Sequence, residues 1–395
     1  MSEWRRVSLS EIVKRVTNKN TNGSIEKVLT VSAEHGLIAQ ESYFTKKIAS
    51  ADTSGYYVVA PGQFVYNKST SKSAAYGTVA RNVGGESGIV SPLYFVFETK
   101  EEAALPEYLE LALNSDQFFR SLAGMLREGA RSHGALNVRL NEFYSATLSL
   151  PPKPLQERIV EVIRSVDDQI AALAAEANAL ADVMAALRNE ILMRGDGWDE
   201  ATVGAVSETR TGRAFPNKYQ GNASGEIPYF KVADMNAPDN SRYLTTPGNW
   251  LDIDGVSAVK PKVCPAGTVV FPIIGAALLT EKRRILARPS AFDQNLMGLV
   301  PNDRVLPGYL FAVMSNFRLS DLTQPGAVPS VNQKIVSGIR IPLAPIEVQE
   351  QIVKTLDSVR SSVDAKYAEA RSLRTARAGL LSGLLSRSIA IEFGG

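Results

Sequence analysis

Residues 152–160, PKPLQERIV, and residues 345–353, PIEVQEQIV, are two copies of one stretch, 193 positions apart. The correspondence continues without a gap, from Ser165 over Ser358 to Arg194 over Arg387. In the first copy no glycine or proline occurs between Pro154 and Gly195, and alanine is abundant, which favours a helix. The repeat therefore predicts two similar long helices, one in the middle of the chain and one at its end.

The first predicted helix carries apolar residues at alternating spacings of four and three, the pattern of a left-handed coiled coil. Its packing positions are Ile159, Ile163, Val166, Ile170, Leu173, Leu180 and Leu187. The same offset gives the packing positions of the second helix as Ile352, Leu356, Val359, Val363, Leu373, Leu380 and Leu384. Lys366 and Arg377 interrupt the second seam, and we expect their aliphatic stems to pass along its edge. The alternative is that they set the register or meet acidic side chains of a partner.

Two matched seams in one chain can bury each other. We therefore expect the helices to form an antiparallel intramolecular coiled coil with pseudo-twofold symmetry. The alternatives are that each helix packs onto its own domain, or that the seams drive homodimerisation.

The segments that precede the two helices also correspond. Trp4 and Trp198 each stand five residues before an apolar residue, and residues 61–66 resemble residues 265–271. Short runs of β-branched and aromatic residues, separated by glycine and proline, predict strands, and helical patterns cover about 105–124 and 307–322. The predicted fold class is mixed α/β (α+β): recognition domains in tandem, each followed by a long helix. The predicted boundaries are 1–150 for the first domain, 151–195 for the first helix, 196–343 for the second domain, and 344–395 for the second helix and tail.

Composition is that of a soluble globular protein, with 45% hydrophobic and 21% charged residues. We find no apolar run near the ~20 residues of a membrane span, and no secretory signal at the N-terminus. The one cysteine, Cys264, suits a reducing compartment and is expected to fill a buried strand position. We therefore expect a cytoplasmic protein. Its net charge of +2 is too small to make the whole chain a basic surface for nucleic acid.

Catalytic motifs are not found. The two histidines, His35 and His133, cannot supply a three-histidine zinc site, and neither phosphate-binding glycine motif occurs. Residues 364–366 have the Asp-x-Lys spacing of some nucleases, but they lie on the predicted second helix, and we interpret the match as chance. The sequence therefore favours a non-catalytic protein with no metal site.

Polar and basic residues cluster in the loops of both domains. Arginine, asparagine and glutamine can bond base edges in pairs, whereas lysine and serine more often hold phosphates. The candidate DNA-contacting residues of the first domain are Lys46, Lys47, Asn67, Lys68, Ser69, Ser71, Lys72, Arg81, Arg127, Arg131 and Arg139. Those of the second domain are Arg210, Arg213, Lys218, Lys231, Lys260, Lys262, Lys282, Arg283, Arg284, Asn332 and Lys334. The alternative for any one of them alone is an ordinary solvated loop position.

The doubled proline-glutamine element before each helix resembles the P-L-x-x-Q-x-x-I-V element of Type I restriction-modification specificity subunits. Residues 88–94 and 66–68 are similar to elements of that family's first target-recognition domain, and residues 228–234 are similar to one of the second. The resemblance spans essentially the whole chain.

This resemblance implies that each domain recognises one half of a split double-stranded DNA target, while the helices fix the gap between the halves. It also implies docking of two modification subunits, which methylate adenine, and of restriction subunits. No cofactor is expected on this chain; S-adenosylmethionine, ATP and magnesium are expected on the partners. The alternative function is a coiled-coil adaptor whose domains bind protein, which the small net charge favours.

Overall fold

The computed structural model describes residues 4–32, 35–43, 50, 52–69, 76–100, 104–124, 131–132, 135–136, 138–193, 195, 197–323 and 328–391. The chain divides into two compact units. Unit 1 contains Met1–Ala174 and Ala368–Gly395, and unit 2 contains Ala175–Tyr367. Each unit therefore combines one globular domain with half of each long helix.

Unit 1 begins with a mixed set of short strands and helices and continues into the first long helix. In chain order these elements are β1 (Arg5–Ser8), α1 (Leu9–Ile12), β2 (Val13–Val16), β3 (Leu29–Ser32), β4 (Gly36–Ala39), α2 (Gln40–Tyr43), β5 (Tyr57–Val59), β6 (Phe64–Asn67), β7 (Thr78–Arg81), β8 (Gly88–Val90), β9 (Phe95–Thr99), α3 (Pro106–Leu113), α4 (Asp116–Ala123), β10 (Arg131–Ser132), β11 (Ala135–Leu136), α5 (Leu140–Ser145), β12 (Thr147–Leu150) and α6 (Lys153–Met193). The main sheet is antiparallel, with the strand order β2-β9-β6-β7.

Unit 2 contains the second domain, the last part of α6 and the first part of α12, which continues beyond Tyr367 into unit 1. Its elements are β13 (Asp199–Thr202), α7 (Val203–Val206), β14 (Ser207–Thr211), β15 (Ile227–Phe230), β16 (Tyr243–Leu244), β17 (Asn249–Leu251), α8 (Ile253–Val259), β18 (Val269–Pro272), α9 (Gly275–Leu278), β19 (Arg284–Leu286), β20 (Ala291–Phe292), β21 (Leu296–Pro301), α10 (Pro307–Met314), α11 (Gln333–Ser337), β22 (Arg340–Leu343) and α12 (Ile346–Ser386). Short 3-10 turns lie at Asn217–Tyr219, Val232–Asn236, Pro238–Asn240 and Leu319–Leu322.

The internal repeat is present in the topology. The order β14-β21-β18-β19 of the second main sheet repeats β2-β9-β6-β7 of the first, with β16 added at one edge. The first and last strands of each domain also pair in the same way, β1 with β12 and β13 with β22. Both pairings are antiparallel, so each long helix starts directly beside the first strand of its own domain.

A buried glutamine fixes the start of each long helix to its domain. Gln156 is 1% exposed and Gln349 is 0% exposed. Each side-chain oxygen accepts a 2.8 Å bond from a backbone N–H, that of Leu105 or Leu306, just before α3 or α10. Each amide nitrogen donates a 2.8 Å bond to the carbonyl five positions earlier. Because buried polar groups are costly unless paired, the repeated glutamine holds the helix and the domain in one arrangement.

The helical patterns at 105–124 and 307–322 are each interrupted. In the first, α3 ends at Leu113, and the Ser115 hydroxyl accepts a bond from the Phe118 amide, capping a separate helix α4. Such a side chain competes with helix continuation and favours a new N-terminus. In the second, α10 ends at Met314 and a 3-10 turn follows at Leu319–Leu322.

The two long helices pack against each other in opposite directions within each unit. In unit 1, Ile159 and Ile163 of α6 share a core with Leu381 and Leu384 of α12. In unit 2, Leu192 of α6 shares a core with Ile352 and Leu356 of α12. Every predicted packing position is buried or half-buried, which confirms the antiparallel pairing. The same cores contain residues of the domains, so packing onto the domain accompanies the pairing of the helices.

The two charged residues in the second seam behave differently from the first expectation. Lys366 forms a 2.9 Å ion pair with Glu176 of α6. The Arg377 guanidinium bonds both carboxylate oxygens of Asp167 on α6, at 2.5 and 2.8 Å. The expectation that only their stems pass the seam was wrong. The alternative of pairing with acids holds, and the acids come from the first helix of the same chain.

One described helix, α6, is long and apolar enough to cross a membrane by length and composition alone, contrary to the expectation from the sequence. This is weak evidence, because the core helix of a soluble protein passes the same test. The seam residues Ile170, Leu173 and Ala177 are at most 8% exposed, as expected for a helix packed within protein.

Candidate nucleic-acid interface

Part of the predicted DNA-contacting set lies outside the described residues: Lys46, Lys47, Ser71, Lys72 and Arg127. Arg131 belongs to the short strand β10, and its side chain is also outside the described part of the chain. These positions stay predictions.

In unit 2, several candidates surround the edge strand β14. Arg210 lies on β14, pairs with Glu208 at 2.7 Å and donates a bond to the carbonyl of Val263. This contact places Arg210 beside the exposed Lys260 and Lys262 of the loop after α8. The Glu208 carboxylate raises the pKa of Arg210, so the guanidinium stays charged. The strand therefore presents cations at a sheet edge where none of the described strands pairs with its outer side.

Helix α11 extends this edge with amide groups and one lysine. The Asn332 side chain accepts a 2.9 Å bond from the Ile335 amide and caps the helix. Gln333 donates to the carbonyl of Thr209 on β14. Asn332, Gln333 and Lys334 are all exposed. We call Arg210, Lys260, Lys262, Asn332 and Lys334 the β14 group.

Three more candidates lie beyond the end of β14. Arg213 and Lys218 are exposed, and the Lys218 ammonium lies 4.6 Å from the Tyr219 ring centroid. Lys231 donates a 2.8 Å bond to the Gln220 side chain, which ties the two loops together. Asp234 and Asp293 lie within its electrostatic range: burial raises their pKa values, and the positive charge of Lys231 lowers them. Lys231 thus interacts with carboxyl groups of its own domain, whereas Arg213 and Lys218 face solvent.

The Lys282–Arg284 cluster is used largely within the domain. Lys282 bonds the Asn236 side chain. Arg283 is 5% exposed and pairs with Glu281, and Arg284 bonds the carbonyls of Asn240 and Met235. Two strands, β21 and β18, separate this cluster from β14 in the sheet. The structure thus gives these arginines a packing role and does not bring them to the β14 group.

In unit 1, Asn67 ends β6 and Lys68 and Ser69 follow it, and the Lys68 ammonium lies 5.1 Å from the Phe95 ring centroid. Arg139 is exposed and stands at the N-cap of α5, equivalent to Asn332 at α11. Arg81 lies at the far end of β7 and forms ion pairs of 2.9 and 3.2 Å with two glutamates of α3. Its charge is therefore balanced inside the domain.

The sequence reasoning did not select Lys14, Arg15 and Lys19, which the structure places on β2 and just after it. All three are exposed, and β2 is the edge strand equivalent to β14. A single bridge follows each strand, antiparallel from Lys19 to Tyr57 and parallel from Arg213 to Asp293. Extending the internal repeat to the first residues of each domain would have aligned β2 with β14, although only the strand order shows that both strands lie at sheet edges.

The described residues contain no group of three or more histidine, cysteine and acidic side chains that could hold a metal ion. Cys264 is buried between backbone bridges to Ser290, and burial raises the pKa of its thiol, as for an inert core cysteine. The candidate groups at the edge strands β2 and β14 are therefore cationic and amide side chains, which can bind a ligand through charge and hydrogen bonds.

Comparison with known proteins agrees with this architecture. Residues 195–369 match the family model described as Type I restriction modification DNA specificity domain. The chain is 21% identical to the Type I restriction enzyme HindI specificity subunit of Haemophilus influenzae, over 98% of this chain and all of that protein. It is 22% identical to the EcoR124I/EcoR124II specificity subunit of Escherichia coli, over 51% of each chain.

The fold is also found in a solved structure described as the structural basis underlying complex assembly and conformational transition of the type I R-M system. The TM-score is 0.61 at 19% identity, with 97% of both chains covered. Residues 195–369 therefore match the Type I restriction modification DNA specificity domain, and the chain as a whole is similar to a specificity subunit of a Type I restriction enzyme.

Proposed function

We propose that this chain recognises a split DNA sequence, one half with each domain, and docks the methyltransferase and restriction subunits that act on that DNA. The observation that carries the proposal is the structural duplication, because two domains of one topology are each joined to a long helix that starts in the same way. A duplicated reader in one chain matches a target with two half-sites. The domain boundaries given from the sequence, 1–150 and 196–343, are part of this proposal.

The DNA-contacting surfaces of the proposal are the two edge strands. In the second domain the β14 group, with Arg213 and Lys218, combines lysines for phosphates with arginine and amide groups for base edges. In the first domain Lys14, Arg15 and Lys19 lie on the equivalent strand. Because the net charge is only +2, partner subunits supply part of the phosphate neutralisation.

The long helices are proposed as a spacer between the domains and as the docking region for partners. Each has 41 residues, so each is about 60 Å long at ~1.5 Å per residue. The ion pairs of Lys366 and Arg377 fix the register of the pair. A fixed register would keep the gap between half-sites constant.

Catalysis is assigned to the partners in this proposal. Two modification subunits would carry S-adenosylmethionine and methylate adenine, and restriction subunits would use ATP and magnesium. The specificity chain itself would neither methylate nor cut DNA, and the complex would work in the cytoplasm.

Co-purification and DNA retention test the proposal against a protein-binding adaptor. The chain is co-expressed with the modification subunit of its own system, and the complex is offered DNA carrying or lacking the methylated sequence. We expect stable co-purification and preferential retention of the cognate DNA, with affinity falling as salt rises. DNA retention that depends on neither the DNA sequence nor the salt concentration would favour the protein-binding adaptor instead.

A further inference from the structure

Five arginines lie close together within unit 2, where the domain meets α6 and α12. They are Arg188, Arg242, Arg283, Arg284 and Arg360. Three carboxylates face them: Asp357 pairs with Arg242, Glu281 pairs with Arg283, and Asp364 acts on Arg360. The cluster therefore has two more cations than anions among the groups that face it.

Burial makes this excess costly. Arg242 and Arg283 are 9% and 5% exposed. Burial, reinforced by neighbouring guanidinium groups, lowers the pKa of Arg188 and Arg360. Two guanidinium carbons, of Arg242 and Arg360, lie 5.6 and 5.7 Å from the Phe311 ring centroid, so one ring holds two like charges. Unbalanced charges of this kind are unfavourable in a partly desolvated site unless an anion joins them.

A small cavity lies among these groups. Its polar lining is Arg188, Arg242, Asp357 and Arg360, its remaining lining is apolar and includes Phe311, and its volume is about 20 Å³. About 10–15 Å³ suffices for one water-sized group, so the space suits a monatomic ion. The Nε atom of Arg242 is buried and has no hydrogen-bond partner among the described residues. A donor without an acceptor thus belongs to a side chain that lines a positively charged cavity.

The equivalent place in unit 1 is balanced. Asp167 stands where the repeat puts Arg360, and it binds Arg377 through both oxygens. Arg81 is paired there with Glu107 and Glu110, where unit 2 has Gly308 and Phe311. The excess of arginines is therefore specific to unit 2.

We propose that the cavity among Arg188, Arg242 and Arg360 binds one chloride ion, which fixes the second domain to the two long helices. The ion would accept the free N–H of Arg242 and offset the excess positive charge around Arg188 and Arg360. The site would thus stabilise unit 2 and leave unit 1 unaffected.

Thermal unfolding of the full chain tests this. Chloride replaces gluconate, a much larger organic anion, at constant ionic strength. We expect a saturable rise of roughly 2–4 °C in the Tm of unit 2. Arg360→Leu should abolish the rise, whereas Arg164→Leu, an exposed arginine of α6 in unit 1, should keep it. An equal Tm in both salts, or an unchanged chloride response in Arg360→Leu, would overturn the proposal.

A second measurement does not depend on any variant folding. Crystals of the wild-type chain in bromide should show one anomalous peak enclosed by Arg188, Arg242 and Arg360. A cavity without a peak, with bromide only on the outer surface, would refute the site.

Discussion

Replacing the buried Gln349 by leucine should destabilise unit 2 specifically. Leucine keeps most of the side-chain volume but removes both polar groups. The Leu306 amide then loses its 2.8 Å acceptor, and the buried Ala344 carbonyl loses its 2.8 Å donor. The third bond, to the Arg304 carbonyl, joins an exposed residue, where water can replace it.

Each buried group left unpaired costs about 1–3 kcal/mol, so the two together predict a loss of about 2–6 kcal/mol. Calorimetry of the full chain should show this as a lower transition for unit 2, with that of unit 1 unchanged. Gln351→Leu is the matched control, because Gln351 is exposed on the same helix and should change stability by less than about 0.5 kcal/mol. A loss below about 0.5 kcal/mol for Gln349→Leu would refute the role given to this side chain.

Three further predictions concern the helices and the DNA surface. A double-mutant cycle on Asp167 and Arg377, measured by urea unfolding, should give a coupling free energy of about 1 kcal/mol, since the two side chains are 45% and 26% exposed. If the stability losses of the two single variants simply add in the double variant, the ion pair is contradicted. Inserting one heptad into each long helix, after Ala174 and after Tyr367, should lengthen the DNA spacer by about three base pairs. The reason is that seven helical residues add about 10 Å. A change in the half-site sequences instead of the spacer would refute the spacer role. Replacing both Arg210 and Lys262 by alanine should weaken DNA binding by the complex about tenfold or more and reduce its salt dependence. Arg340→Ala, at an exposed position, is the control. Unchanged DNA binding in the double variant would show that β14 is not part of the interface.

The repeat and the helix pattern were predictable because both depend on local spacing. Prolines mark the starts of α6 and α12, and a seven-residue period marks their buried faces, so the antiparallel pairing could be inferred before any coordinates. The partners of Lys366 and Arg377 could not, because the acids that face them depend on the register of the two helices. That register places Glu176 opposite Lys366 and Asp167 opposite Arg377. The spacing of residues within one helix does not determine the register.

The DNA surface was harder to predict than the fold. A cluster such as Lys282–Arg284 has the composition of a binding loop, yet Arg284 is held by two backbone carbonyls distant in sequence, those of Met235 and Asn240. The exposed Lys14 and Arg15 were overlooked because a short strand does not reveal whether it lies at the edge or the centre of a sheet. Only the strand order supplies that distinction.

The central claim is that this chain selects a split DNA target for methylation. Methylome sequencing of the host, with and without the gene, tests it most directly. We predict one adenine-methylated motif made of two half-sites with a constant gap, present with the gene and lost without it. An unchanged methylome, or loss of a continuous motif without a gap, would contradict the account.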